Sequence, residues 1–171
     1  NLILPKGNGD MYDNSADLFK RWKEEGIMVQ DKEDTIYIYR EAYSMAGKEF
    51  HRLSFMALMK LEPLGTGMLP HEKVLEKDLN DRIKLISTTR SNFGVPFVLY
   101  DDREKKTDDM IKKAIDNKEP YIDFKDDKGV SHTLWKVDDK DLVSAMVDEM
   151  KNYQCIIADG HHRYTSELKV K

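Results

Sequence analysis

An acid, a glycine, two histidines and an arginine follow one another within residues 158–163. A glycine at position 160 lets the backbone turn tightly and approach a ligand closely. If a helix begins after it, the free N–H groups of the first helical turn favour an anion. Positive side chains in that turn oppose the helix dipole, and this conflict disappears if a phosphate or carboxylate binds there. The segment therefore predicts an anion site in which the planar fork of Arg163 holds the ligand.

The remaining polar residues of this segment could take part in chemistry. Either histidine could donate a hydrogen bond to the anion or shuttle a proton, and Asp159 could orient a histidine, hold a metal ion or act as a base. An alternative stays open, because Asp-Gly is a common turn, Asp159 could cap the helix, and the histidines could be solvated. Positive side chains at the start of a helix conflict with the helix dipole, and a local conflict of this kind favours a functional role over an ordinary turn. We predict Asp159 and His162 as catalytic residues, and Gly160, His161, His162 and Arg163 as phosphate or nucleotide ligands.

A second candidate is the pair His71 and Glu72, in a loop that follows Gly65 and Gly67. Neighbouring imidazole and carboxylate groups can serve acid–base catalysis or bind a metal, and loops on a rigid scaffold often carry such groups. An ordinary polar surface loop is an equal alternative for this segment alone. Because the turn at Gly160 lacks an obvious base, we predict that His71 and Glu72 fold against it as catalytic residues.

Two arginines form a third candidate. Arg82 and Thr89 are seven residues apart and share one face of a predicted helix, and Arg90 lies at the end of that helix. Both arginines are predicted to contact phosphate. For Arg90 a simpler alternative is strong, because the helix dipole favours a cation at the C-terminus without any ligand.

Metal binding is a further possibility for these groups. His71, Glu72, His161 and His162 could converge, but no His-Glu-x-x-His helix and no cysteine pair supports zinc. Adjacent histidines on a helix also point about 100° apart, so they rarely share one ion. Mg²⁺ that accompanies a phosphate, held by Asp159 or Glu72, is the better expectation because its ligands are oxygens.

These candidates depend on nearby helices and strands. An apolar run at 155–158 predicts a short buried strand, and a helix is expected after Gly160. Asp78 is a suitable cap for the helix that carries Arg82. Hairpin turns are predicted at 45–48 and 127–129.

Two further helices are indicated. Asn14 could cap the first, and Gly26 would stop it. Asp138 and Asp139 open the second, whose apolar residues recur at helical spacing. Its predicted inward residues are Leu142, Val143, Met146, Val147 and Met150.

The order of elements predicts an α+β fold, or a mixed-sheet α/β fold, with antiparallel hairpins and helices around a mixed sheet. We expect a single domain over residues 1–171 or the central portion of a longer one, because no internal linker is evident and the chain does not begin with Met.

Composition narrows the classes of function. Lys and Arg number 28 against 32 Asp and Glu, and the net charge of −4 disfavours a nucleic-acid partner. No apolar run approaches the roughly 18 residues of a membrane span, and residues 1–6 lack the pattern of a secretory signal. Cys155 is the only cysteine, which fits a reducing compartment. The cytoplasm is the expected location.

Several of these segments together resemble one protein family. The chain is similar to a widespread prokaryotic family catalogued as domain of unknown function number one thousand and fifteen, and the likeness covers nearly its whole length. Family members have Thr at the position of Val74, so no hydroxyl role is expected there, and they are longer at both ends. The matching motifs are Leu69-Pro70-His71-Glu72-Lys73, Asp81-Arg82, Thr89-Arg90-Ser91-Asn92-Phe93 and Ile157-Ala158-Asp159-Gly160-His161-His162-Arg163-Tyr164.

The Asp-Gly-His-His-Arg turn also resembles one in the ParB and sulfiredoxin-like superfamily, which includes kinases of free serine. This likeness implies a nucleotide-dependent small-molecule kinase that uses ATP or ADP with Mg²⁺. It also implies phosphate contacts from Asp159, His161, His162 and Arg163, with His71 or Glu72 as the base. Two alternatives stay open: a non-catalytic nucleotide- or metabolite-binding regulatory module, and a ParB-like DNA-associated protein, against which the acidic balance counts.

Overall fold

The computed structural model describes residues 2–3 and 9–171, and of residues 77 and 78 it describes the backbone alone. The expectation about a signal at residues 1–6 therefore falls largely outside the described residues. No helix in the described ranges is long and apolar enough to span a membrane. In chain order the elements are α1 (Met11–Glu24), β1 (Ile36–Met45), β2 (Lys48–Met56), β3 (Met68–Leu69), α2 (Glu76–Thr89), β4 (Phe97–Tyr100), α3 (Lys106–Ile115), β5 (Ile122–Lys125), β6 (Ser131–Val137), α4 (Lys140–Met150), β7 (Cys155–Asp159) and α5 (His161–Val170).

The chain folds into two compact units, each built from separate stretches of sequence. The first comprises Asn1–Gln30, Lys60–Asp101 and Gln154–Lys171, and the second comprises Asp31–Met59 and Asp102–Tyr153. The expectation of a single domain stays a prediction, since two compact units can belong to one domain.

The second unit is a four-stranded antiparallel sheet with two helices. Its strand order is β2-β1-β6-β5, and both predicted hairpins are present. Ala46 and Gly47 join β1 to β2 with φ values of 51° and 74°, the left-handed pair that suits a two-residue hairpin turn. Alternate residues of β1 and β6 enter a core with α3 and α4; its buried members are Ile36, Ile38, Ile111, Ala114, Trp135, Val137 and Met146.

The first unit holds a three-stranded mixed sheet. β7 lies in its centre, parallel to β3 and antiparallel to β4. α5 follows β7 directly and packs on α2, which in turn packs on α1. The end of the central strand therefore delivers the Gly160 turn to the start of a packed helix.

The predicted α+β class is confirmed, although the strands form two sheets, one antiparallel and one mixed, instead of a single mixed sheet. The strands of the two hairpins pair in the second unit, whereas β3 and β7 pair in the first. Hydrophobic periodicity indicates strands but does not say which strands pair, because pairing is decided by contacts distant in sequence.

Three local predictions are wrong. Asn14 lies inside α1, whose cap is Asp10, which accepts from Tyr12 N at 2.7 Å. Asp78 lies inside α2, whose N-cap is Leu75 without a side-chain cap. Val147 is 51% exposed, because it follows the buried Met146 by one residue and points away from the core. The predicted cap Asp139 does begin α4.

Candidate functional site

Gly160 connects β7 to α5 in a conformation that suits glycine. Its φ and ψ are 93° and 28°, in the left-handed region that a side chain disfavours. A Cβ added here would lie 3.0 Å from Pro96 Cα and 3.2 Å from the Arg163 guanidinium carbon. The predicted turn and helix are therefore present, and the close approach concerns the chain's own backbone and Arg163.

Replacing Gly160 should destabilise the protein more than replacing another left-handed glycine. Gly65 also has a φ of 93°, but an added Cβ would meet nothing within 4 Å. We expect Gly65→Ala to cost about 1–2 kcal/mol from backbone strain alone. Gly160→Ala should cost about 1–3 kcal/mol more from steric overlap. Urea unfolding of both variants checks this, and equal losses would contradict the close contact.

Arg163 lies over the Gly160 turn, where it bonds to neighbouring groups. Its Nη2 donates to Asp159 Oδ2 at 2.5 Å, and its Nη1 donates to the carbonyl oxygen of Val95. The pairing places Asp159 beside an arginine, and it orients the guanidinium. Because a guanidinium has five N–H donors, these two bonds leave others for a ligand.

The loop that carries His71 and Glu72 lies against the start of α5. His161 is buried, with a side chain 1% exposed, and its Nδ1 lies 3.1 Å from Glu72 Oε1. The backbone N–H of His71 donates to His161 Nε2 at 3.3 Å. His71 Nδ1 lies 2.7 Å from the carbonyl oxygen of Ile157 in β7. The two segments, distant in sequence, thus meet through direct hydrogen bonds.

Most of the predicted residues line one cavity of about 350 Å³ in the first unit. That volume lies within the range of small-molecule sites. The predicted residues in its wall are Glu72, Arg82, Asp159, Gly160, His161, His162 and Arg163, and the others are Ile3, Leu85, Ile86, Ser91, Asn92, Phe93 and Gly94. His71 reaches this wall through its bond to His161.

Of the two arginines predicted to contact phosphate, one lies in the cavity wall and the other does not. Arg82 lines the cavity, with Nε 3.8 Å from Asp81 Oδ2. Arg90 ends α2 in the left-handed conformation, with a φ of 53°. Its side chain is exposed and is not in the cavity wall. Because the backbone of Arg90 departs from helical geometry, its side chain does not lie on the helix face that carries Arg82.

His162 has an unsatisfied atom in the cavity wall. Its Nδ1 is buried and has no hydrogen-bond partner among the described residues. Buried polar atoms are normally paired, and this nitrogen is an exception that lies out of reach of solvent.

One acidic residue near the cavity is not anticipated from the sequence. The Asn92 side-chain amide donates to Glu167 Oε1 on α5, and Asn92 lines the cavity. Burial raises the pKa of the Glu167 carboxyl, and the bond from Asn92 offsets part of this. Glu167 follows Arg163 by one helical turn, and this spacing is the signal that could have identified it.

Three residues of the site form a group whose side chains could in principle hold a metal ion. One potential ligand atom from each of His71, Glu72 and His161 lies within 4.8 Å of the others. Two imidazoles and a carboxylate are a set that zinc uses, whereas Mg²⁺ prefers oxygen ligands. Asp159, predicted as a magnesium ligand, is not in this group.

Comparison with known proteins supports the motif likeness. The family model described as "Protein of unknown function (DUF1015)" matches residues 1–171. No curated protein matches the chain, and no solved structure does so. The match spans every segment that lines the cavity, and the chain belongs to the DUF1015 family.

Proposed function

We propose that this protein is a cytoplasmic phosphotransferase that moves a phosphoryl group from ATP or ADP to a small hydroxyl substrate such as free serine. The observation that carries the proposal is the composition of one cavity wall. It combines a helix start and two arginines, which suit phosphate, with the exposed carboxylate of Glu72, which suits a hydroxyl proton.

The phosphate end of the cavity is the first turn of α5. The backbone N–H groups of a first turn lack partners within the helix and attract anions. Arg163 lies over this turn and Arg82 lines the same wall. Arg163 already pairs with Asp159, and a bound phosphate would add a second negative partner for its charge at the helix N-terminus.

The acceptor end is the carboxylate of Glu72, whose side chain is 54% exposed. In the proposed step the substrate hydroxyl gives its proton to Glu72 as its oxygen bonds to the terminal phosphorus. The bond from that phosphorus to the bridging oxygen breaks, and the shortened nucleotide leaves. Positioning and charge neutralisation supply most of the rate enhancement in such reactions.

Mg²⁺ is the expected companion of the nucleotide. Glu72 and Asp159 offer carboxylate oxygens in the cavity wall, which is the donor type that Mg²⁺ accepts. When bound, the ion would neutralise charge on the transferring phosphoryl group. Asp159 pairs with Arg163 through Oδ2 alone, which leaves Oδ1 for the ion while Glu72 serves as the base.

Nucleotide binding by the full-length protein is the first test. Titration calorimetry with ATP, ADP and pyrophosphate, each with Mg²⁺, should give binding to at least one. Arg82→Gln should weaken it about tenfold, the cost of one charged hydrogen bond. Lys84→Gln is the matched control, because it removes the same charge from α2 outside the cavity wall. No binding of any of the three would refute the proposal, and binding without transfer to any hydroxyl compound would indicate a sensing module instead.

A further inference from the structure

His161 is a buried imidazole with both ring nitrogens engaged. Its Nδ1 faces the Glu72 carboxylate at 3.1 Å, and its Nε2 faces the backbone nitrogen of His71 at 3.3 Å. Its ring lies edge-on to the ring of His71, with 4.4 Å between centroids. A ring enclosed in this way has little freedom to rotate.

These two contacts determine which nitrogen carries the proton. A backbone N–H can only donate, so His161 Nε2 must offer its lone pair to His71. A carboxylate can only accept, so Nδ1 must carry the proton and donate it to Glu72. The neutral imidazole with its proton on Nδ1 is the one form that satisfies both neighbours. A doubly protonated ring would direct an N–H at the His71 N–H.

The position of the proton on His161 also disfavours a metal ion at His71, Glu72 and His161, although their spacing would allow one. An ion on His161 Nδ1 would require the proton to move to Nε2, where it would meet the His71 N–H. His71 donates from Nδ1 to the Ile157 carbonyl, which leaves its own Nε2 unprotonated. The case against an ion therefore rests on His161, whose two ring nitrogens both face other groups.

Glu72 gains a defined position from this arrangement. It is an exposed side chain on a loop, and such side chains sample several rotamers. The close contact with His161 Nδ1, 3.1 Å from Oε1, restrains one oxygen and leaves Oε2 to accept a proton. We propose that His161 is a positioning residue, which holds the Glu72 carboxylate in the cavity wall through its Nδ1–H. The catalytic consequence rests on the proposed phosphotransfer; the hydrogen-bond arrangement does not.

Two variants separate the roles of the two ring nitrogens. In His161→Asn the amide nitrogen can stand near Nδ1 and still donate to Glu72. In His161→Gln the amide oxygen can stand near Nε2 and accept from His71, but the donor to Glu72 is lost. We expect the Asn variant to keep kcat within about tenfold of wild type and the Gln variant to lose on the order of 100-fold, as for a misplaced catalytic group. KM for the nucleotide should change little in either. Equal losses, or a larger loss in the Asn variant, would overturn the proposal.

A spectroscopic measurement on the wild-type protein keeps the proposal testable if a variant fails to fold or no transfer is found. Nitrogen-15 NMR of the histidine rings at neutral pH should show His161 with a protonated Nδ1 and an unprotonated Nε2. Added Zn²⁺ should leave these signals unchanged. A proton on Nε2, a charged ring, or stoichiometric Zn²⁺ binding that His71→Ala abolishes would overturn it. Absence of phosphoryl transfer with the expected ring signals would refute the proposed function alone.

Discussion

Replacing Arg163 with glutamine is expected to weaken the binding of ATP or ADP by about 10- to 100-fold, because charged hydrogen bonds of about 1.5–3 kcal/mol are lost. Arg163→Lys should recover only part of the affinity, since an ammonium group keeps the charge but lacks the planar fork. Titration calorimetry of both variants measures these changes.

The matched control for Arg163 lies on the same helix. Lys169 is exposed in the last turn of α5, outside the cavity wall, and Lys169→Gln removes the same charge. Its dissociation constant should stay near the wild-type value. If Arg163→Gln and Lys169→Gln bind nucleotide equally well, the guanidinium over the Gly160 turn is not a phosphate ligand.

Glu72→Gln is expected to lower kcat by about 10²- to 10⁴-fold, the usual loss when a general base is removed. The nucleotide dissociation constant should change much less. The amide has the same shape, and its oxygen can still accept from His161 Nδ1, so position is kept while basicity is lost. Transfer of label from ATP or ADP to serine, measured beside binding, separates the two effects.

Glu76→Gln is a suitable control for this change, because Glu76 is an exposed acid at the start of α2, outside the cavity wall. It should retain wild-type turnover. An unchanged kcat in Glu72→Gln would exclude this carboxylate as the base and would direct attention to Glu167, whose pKa is raised by burial.

The sequence predicts the local part of this site well. An apolar strand, a glycine and a helix are predicted within sixteen residues of chain, since each depends on its own neighbours, and all three occur at β7, Gly160 and α5. The meeting of Glu72 with His161 is expected from the need for a base, and the distance of 3.1 Å between Glu72 Oε1 and His161 Nδ1 gives that expectation a geometry.

What the sequence misses depends on distant contacts. The first unit gathers three separate stretches of chain, so the partition of strands into two sheets does not follow from periodicity. Arg90 illustrates a smaller difference: it continues the sequence of α2, but its left-handed backbone turns it away from the helix. Pairing of Asp159 with Arg163 instead of a histidine depends on side-chain geometry that spacing alone does not determine.

The central claim is that phosphate binds at the start of α5. A crystal structure of the full-length protein with a non-hydrolysable ATP analogue and Mg²⁺ tests it most directly. The terminal phosphate should lie about 2.7–3.1 Å from first-turn N–H groups of α5 and from the Arg163 guanidinium, with Glu72 still in contact with His161. A nucleotide bound elsewhere, with the Gly160 turn and Arg163 unchanged, would contradict the account.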